Sequence, residues 1–296
     1  MKTKIILLVT GLLLLTGFFG TSKQALSERN VAIYEKALSL EDTIDTGFSG
    51  YVFSAVPVRF FAGDADYVRK GDTFVKQKPL FQVLAATALL HEGNYTLIVP
   101  TVEMMEGVFS LLSPPDTQYT DTLHAAVLWH EGFHAYQLEN YENQVTALPG
   151  CGAEDSAFQP ADANEAARAL FMDGLKALHQ AVNEEDPQKI RTYVKTFVQL
   201  AEERDALLPE ETQAAERFKE TVEGTAYFVE MRATEAMGED ISAYTDLPAF
   251  YTNGPGKYYN SGRMMWMILN KLDPVRMESY DFSLPLRTIM EEIAKE

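Results

Sequence analysis

The sequence predicts an α+β fold, with a small sheet in an N-terminal part over residues 23–115 packed on a mainly α-helical part over residues 116–296. Between residues 48 and 100, aromatic and β-branched residues are interrupted by turn sequences, which is typical of short strands. Beyond Pro114 and Pro115, apolar residues recur at helical spacing between capping residues. The 296-residue chain is 46% hydrophobic, which is enough to build a core.

The first 22 residues have the composition of a secretory signal peptide. A basic start is followed by a short apolar run over residues 5–15 and by small residues up to Ser22. The run is too short for a comfortable membrane span, and no cysteine follows it closely to carry a lipid anchor. We expect a secreted or otherwise extracytoplasmic protein, cleaved near Ser22 or Ala25, with an uncleaved N-terminal membrane anchor as the alternative.

Strands are expected in the N-terminal part where β-branched and aromatic residues lie between turns. An apolar run over residues 80–90 is followed by the turn His91–Asn94, which separates it from the last strand. The expected strands are Val52–Phe53, Val58–Phe61, Thr73–Val75 and Tyr95–Val99.

Helices in the C-terminal part are expected to begin at capping residues or at prolines in the first helical position. Thr120 or Asp121 can cap the first helix, and Asp162 or Asn164 can cap the second. Gly238 is expected to end the longest one. The expected helices cover roughly residues 121–140, 166–182, 187–207, 210–237, 262–272 and 283–296.

The net charge of −18 becomes −20 when Lys2 and Lys4 are removed with the signal segment. Such a chain is repelled by phosphate backbones and anionic lipids, so we expect no nucleic-acid partner and membrane contact only through an uncleaved N-terminus. The single cysteine, Cys151, excludes a disulfide framework. It is expected to be a lone loop thiol, or at most an extra metal ligand.

The segment His130-Glu131-Gly132-Phe133-His134 carries the clearest chemistry in the chain. Two histidines four positions apart on a helix project onto one face and can bind one Zn²⁺. Glu131 between them is then placed to act as general base on a zinc-activated water. The alternative is an amphipathic helix that carries these residues by chance.

A catalytic zinc site commonly uses three protein ligands, so a third ligand is needed. The long helix after Pro209 offers Glu216, Glu220, Glu223 and Glu230, and most glutamates on a helix belong to a solvated face. Glu223 differs because Gly224 follows it, and a glycine inside a helix usually marks close packing.

The phrase from Glu223 to Glu230, together with the histidine motif, resembles the gluzincin zinc metallopeptidases, and in particular their aminopeptidase branch. The resemblance implies that Glu223 is the third zinc ligand beside His130 and His134. The sequence departs from that branch at Val222, where the motif has asparagine, and in the long separation between the motifs. An inserted helical segment over about residues 153–208 would account for that separation, and Glu220 remains an alternative ligand.

A donor to the oxyanion is the remaining catalytic need. Tyr259-x-x-Gly262 resembles the motif that supplies the transition-state tyrosine in the aminopeptidase branch, with Tyr258 as the alternative. The other histidines, His91, His124 and His179, have no ligand spacing and are expected to be structural.

Together these residues predict an exported zinc-dependent hydrolase that cleaves peptide bonds, with peptides or proteins as substrates. Glu131 and Tyr259 are its expected catalytic residues. The alternatives are a non-enzymatic zinc-containing binding protein and a zinc hydrolase of a non-peptide amide. The presence of Glu131 favours an enzyme over a binding protein.

Overall fold

The computed structural model describes residues 25–112, 118–247 and 254–296. The segment expected to be a signal peptide, residues 1–22, lies outside these described residues. The described residues form an α+β fold, as predicted, with a five-stranded sheet in the N-terminal part and mostly helices in the C-terminal part. Among them, no helix has both the length and the apolar character needed to span a membrane.

The chain divides into two compact units. The first runs to Ile44 and continues over Gly50–Asn140 and Arg232–Glu239. The second comprises Asp45–Ser49, Tyr141–Met231 and Asp240–Glu296. The boundary near residue 115 that the sequence suggests stays a prediction.

The sheet belongs to the first unit, and its strands are β1 (Val58–Phe61), β2 (Asp66–Lys70), β3 (Thr73–Gln77), β4 (Thr87–His91) and β5 (Asn94–Pro100). Their spatial order is β3-β2-β1-β5-β4. β1 and β5 are parallel, and the other neighbouring strands are antiparallel. The predicted turn between β4 and β5 is confirmed, with Glu92 and Gly93 at φ values of 50° and 87°.

One expected strand is wrong. Val52–Phe53 is not a strand, because Phe53 begins a short 3₁₀ turn, Phe53–Ala55, and is fully buried with its ring 4.8 Å from that of Trp129. The contact between Phe53 and Trp129 favours the turn, and a local sequence pattern cannot predict a contact between residues so far apart in the chain. β2 and β4 were not expected as strands.

The helices follow the capping residues closely. Thr120 accepts a hydrogen bond from the Leu123 amide at 3.1 Å, and Asn164, rather than Asp162, caps the fifth helix through the Ala167 amide. Asp186 caps the sixth before Pro187. The helices are α1 (Glu28–Ser39), α2 (Val102–Leu112), α3 (Asp121–Ala147), α4 (Gln159–Ala163), α5 (Glu165–Val182), α6 (Pro187–Asp205), α7 (Glu210–Ala236), α8 (Ser242–Thr245), α9 (Lys257–Leu272), α10 (Pro274–Glu278) and α11 (Leu286–Ile293).

The helices differ from the prediction at several places, and the last one is shorter than expected, covering Leu286–Ile293 instead of residues 283–296. α1 and α2 lie in the part read as mixed, α3 continues to Ala147 through a distorted Tyr141, and α9 begins at Lys257 instead of Gly262. As a result Tyr259 lies in the first turn of α9. The segment between residues 153 and 208 is largely helical, since it contains α4, α5 and α6.

The core of the first unit is rich in aromatic residues. Tyr34 of α1 lies with its ring 6.2 Å from Phe60 of β1 and 5.4 Å from Phe74 of β3. Trp129 of α3 donates its indole N–H to the Ala37 carbonyl of α1 at 3.1 Å. These contacts hold the part of α3 that ends at Asn140, which carries the histidine motif, in the first unit.

The second unit contains two buried ion pairs on α7. Arg204 of α6 binds both oxygens of Glu216, and Arg287 of α11 binds both oxygens of Glu220. Both glutamates are fully buried. Buried charges are tolerated when they are paired and hydrogen-bonded, so these pairs fix α7 against α6 and α11.

Candidate metal centre

His130 and His134 lie on one face of α3, as their spacing predicts. Both are buried, and their Nε2 atoms are 3.2 Å apart. With Zn–N bonds of 2.0–2.1 Å and a tetrahedral angle, two ligand nitrogens are separated by about 3.3 Å. The pair therefore fits two corners of a tetrahedral zinc site.

Gly132, between the two histidines, allows α3 to pack closely within the first unit. A Cβ atom at this position would come 2.7 Å from the Tyr51 hydroxyl and 3.1 Å from the Phe53 ring. Tyr51 donates that hydroxyl to the Trp129 carbonyl at 3.1 Å. Any larger residue would displace the turn that carries the histidines.

Gln137 supports the second histidine. Its Oε1 lies 2.7 Å from Nδ1 of His134, and the glutamine is fully buried. When Nδ1 carries the proton and donates it to this oxygen, Nε2 is left with the lone pair on the other side of the ring. Sequence reasoning missed Gln137, although its position three residues after His134 on a helix places it on the same face.

Glu223 lies on α7 and is 5% exposed. Its Oε1 accepts a hydrogen bond from Lys219 at 3.0 Å, one turn earlier on the same helix. Both side chains are largely buried. Lys219 was not expected from the sequence, and its ammonium group helps to hold the Glu223 carboxylate in place.

One possible ligand atom from each of His130, His134 and Glu223 lies within 4.8 Å of the other two, and all three residues are buried. Two imidazoles and a carboxylate form the ligand set of one class of catalytic zinc site, with a fourth position for water. The chemistry of these donors fits zinc.

Glu220, the alternative ligand, is already bound elsewhere. Arg287 approaches its two oxygens at 2.9 and 2.6 Å, and the Ser261 hydroxyl donates to Oε1 at 2.9 Å. A carboxylate in this arrangement would have to abandon a buried arginine to bind a metal. The observed partners favour Glu223 over Glu220.

The glycines of the two downstream motifs are in backbone contact. A Cβ atom on Gly224 would lie 2.7 Å from the Gly262 carbonyl carbon, and one on Gly262 would overlap the Glu220 carbonyl oxygen. Gly224 therefore does mark close packing, as expected. The helix it packs against is α9, which carries the tyrosine motif.

Tyr259 is half-buried in the first turn of α9, and its ring centroid lies 6.0 Å from that of Tyr227. Tyr227 is one turn beyond Glu223 on α7. Tyr258 points elsewhere, since it is fully buried and donates its hydroxyl to Glu216. Burial raises the pKa of Tyr258. Its hydroxyl is engaged with the ion pair of Glu216 and Arg204, so the contacts favour Tyr259 over Tyr258 as the candidate oxyanion donor.

Glu131 is half-buried on α3 between the histidines. Cys151 is half-buried, and burial raises the pKa of its thiol. Cys151 does not belong to the metal-ligand group found among the described residues. His124, His179 and His91 are likewise outside that group, and His124 is fully buried with Nδ1 3.0 Å from the Tyr119 hydroxyl.

Comparison with known proteins adds no relative. No family model matches the sequence, no curated protein matches it, and no solved structure matches the fold.

Proposed function

We propose that the chain is a zinc-dependent hydrolase, most specifically a metallopeptidase of the gluzincin type. The observation that carries this proposal is the group of three buried donors, His130, His134 and Glu223, with Glu131 beside the histidines. A metal-binding protein without catalysis would need the ligands but would have no use for Glu131.

Zinc, when bound, polarises the substrate carbonyl and lowers the pKa of a water molecule. Glu131 accepts the proton that the attacking water loses and passes it to the leaving amine as the peptide bond breaks. Tyr259 donates a hydrogen bond to the oxyanion through its neutral hydroxyl. Lys219 contacts the proposed ligand Glu223, and Gln137 contacts the proposed ligand His134.

The test is the Glu131→Gln variant, which keeps the size of the side chain and removes the base. We expect it to retain zinc and thermal stability but to lose hydrolysis by at least about 10²- to 10⁴-fold, the usual worth of general acid–base catalysis. Activity is measured by mass spectrometry on a broad peptide library, and zinc by elemental analysis.

Glu142→Gln is the matched control, because Glu142 is an exposed glutamate on the same helix. It should behave as wild type. Equal activity of Glu131→Gln and wild type would refute the mechanism. A zinc-loaded wild type that cleaves no peptide would favour the binding protein, and cleavage of simple amides alone would favour the non-peptide hydrolase.

We also propose export from the cytoplasm, on the basis of the first 22 residues. Leu26 is buried and Ser27 caps α1, so a mature chain should retain both. N-terminal sequencing of protein recovered outside the cytoplasm should begin at or before Leu26. An intact Met1 on a soluble cytoplasmic protein would refute export, whereas an intact Met1 in the membrane fraction would support the anchor.

A further inference from the structure

We propose that Gln137 is a positioning residue that fixes the tautomer of His134, so that Nε2 and not Nδ1 is presented for metal binding. This inference rests on the proposed zinc site. Its basis is the 2.7 Å contact between Gln137 Oε1 and His134 Nδ1, in which both residues are almost completely buried.

A neutral imidazole carries one proton, on either Nδ1 or Nε2, and only the nitrogen without the proton can bind a metal. The Nε2 atoms of His130 and His134 face each other at 3.2 Å, so metal binding by both requires the proton of His134 to be on Nδ1. A buried N–H without an acceptor would be costly. The Gln137 carbonyl oxygen supplies that acceptor.

The helix itself makes this arrangement possible. Gln137 follows His134 by three positions on α3, and side chains three apart lie on the same face. Metal-binding histidines usually donate their second nitrogen to a carboxylate, a backbone carbonyl or water. In this chain the neutral amide of Gln137 accepts that hydrogen bond and adds no negative charge beside the proposed metal ligands.

The experiment compares zinc affinity, measured by competition with a chelator, in wild type and in Gln137→Leu and Gln137→Glu. Loss of the acceptor in Gln137→Leu should weaken zinc binding by about 10- to 100-fold, the usual effect of losing such a partner. Gln137→Glu restores an acceptor and should bind zinc at least as tightly as wild type. Gln144→Leu, the same substitution further along α3, is the control and should match wild type.

A second measurement uses the wild-type protein without metal, and therefore does not depend on whether a variant folds. Nitrogen-15 NMR of the histidine side chains should show the His134 proton on Nδ1. A proton on Nε2 would overturn the proposal, as would wild-type zinc affinity in Gln137→Leu. Thermal melting of the metal-free variants checks that they are folded.

The two measurements separate this proposal from the proposed function. If wild type binds no zinc, or if His134→Ala keeps full zinc, the metal site fails whatever Gln137 does. If wild type binds zinc through His134 and Gln137→Leu binds it equally well, only the role of Gln137 fails.

Discussion

Gly224 and Gly262 bring the backbones of α7 and α9 into direct contact, closer than any side chain at either position would permit. Glu223 precedes the first glycine, and Tyr259 lies one turn before the second on its own helix. The contact thus fixes the position of the expected ligand relative to the expected oxyanion donor. Two motifs that are far apart in sequence form one rigid crossing within the second unit.

Gly262→Ala tests this crossing. The added Cβ atom would meet the Glu220 carbonyl oxygen and the Gly224 Cα atom, so the helices must separate. We expect a loss of about 1–3 kcal/mol or more in the free energy of unfolding, together with a lower turnover. Gly107→Ala is the control, because nothing lies near that exposed helical glycine, and it should gain about 0.5–1 kcal/mol. Denaturant unfolding measures both, and an unaffected Gly262→Ala would contradict the close packing.

The ligand assignment predicts opposite outcomes at two neighbouring glutamates. Glu223→Gln should lose zinc while the fold remains, because the amide oxygen of glutamine can still accept the hydrogen bond from Lys219. Glu220→Gln should keep zinc but lose about 3–5 kcal/mol of stability, because Arg287 would stay buried with its main partner removed. Elemental analysis of both variants measures their zinc content, and unfolding curves measure their stability, which together distinguish Glu223 from Glu220 as the ligand. Full zinc in Glu223→Gln would overturn the assignment.

The two adjacent tyrosines also separate catalysis from stability. Tyr259→Phe should lower turnover by about 10²- to 10³-fold, as expected for an oxyanion donor, with little change in stability. Tyr258→Phe should leave turnover unchanged and cost about 1.5–3 kcal/mol, because it removes a hydrogen bond to the buried Glu216 carboxylate. Steady-state kinetics and thermal melts of the pair check this. The reverse pattern would make Tyr258 the donor.

His124 should make the protein sensitive to acid. Burial lowers the pKa of His124 to about 4 from 6.5, against the opposing influence of Glu103, Asp121 and Glu106. Between those two pH values the unfolded chain binds the proton and the folded chain does not, so the free energy of unfolding falls as the pH is lowered. The shift corresponds to about 3 kcal/mol.

The measurement is the free energy of unfolding from pH 7 to pH 4 in wild type and in His124→Gln. Wild type should lose up to about 3 kcal/mol more than the variant over this range. His179→Gln changes a half-buried histidine and should follow wild type. Parallel curves for wild type and His124→Gln would rule out His124 as the source of the acid sensitivity.

The sequence predicts the features that depend on local spacing. The helical face of His130 and His134 and the cap at Asp186 follow from positions a few residues apart, as does a cap at Asp162 or Asn164, of which the structure uses Asn164. The features set by distant contacts are not predicted. Phe53 is in a 3₁₀ turn because it packs on Trp129, far along the chain.

The burial of two glutamates on α7 is the clearest example of a feature that the sequence does not predict. The sequence alone predicts that Glu216 and Glu220 lie on a solvent-exposed face of the helix, as most helical glutamates do. In the structure both are fully buried, because Arg204 and Arg287 arrive from α6 and α11. Those arginines are distant enough in sequence that no helical periodicity pairs them with α7. Glu220 therefore remained an alternative ligand in the sequence, which does not show its pairing with Arg287.

The arginine pairs on α7 also bear on how metal loading relates to folding. Arg204, Arg287 and Lys219 each pair with a glutamate of α7 through protein contacts, so we expect α7 to be ordered without a bound ion. If the proposed zinc site is correct, we expect the chain to fold first and to bind the metal afterwards, unlike small zinc domains that are unfolded without metal. Zinc would then add stability only by mass action, in proportion to the logarithm of its free concentration relative to its dissociation constant.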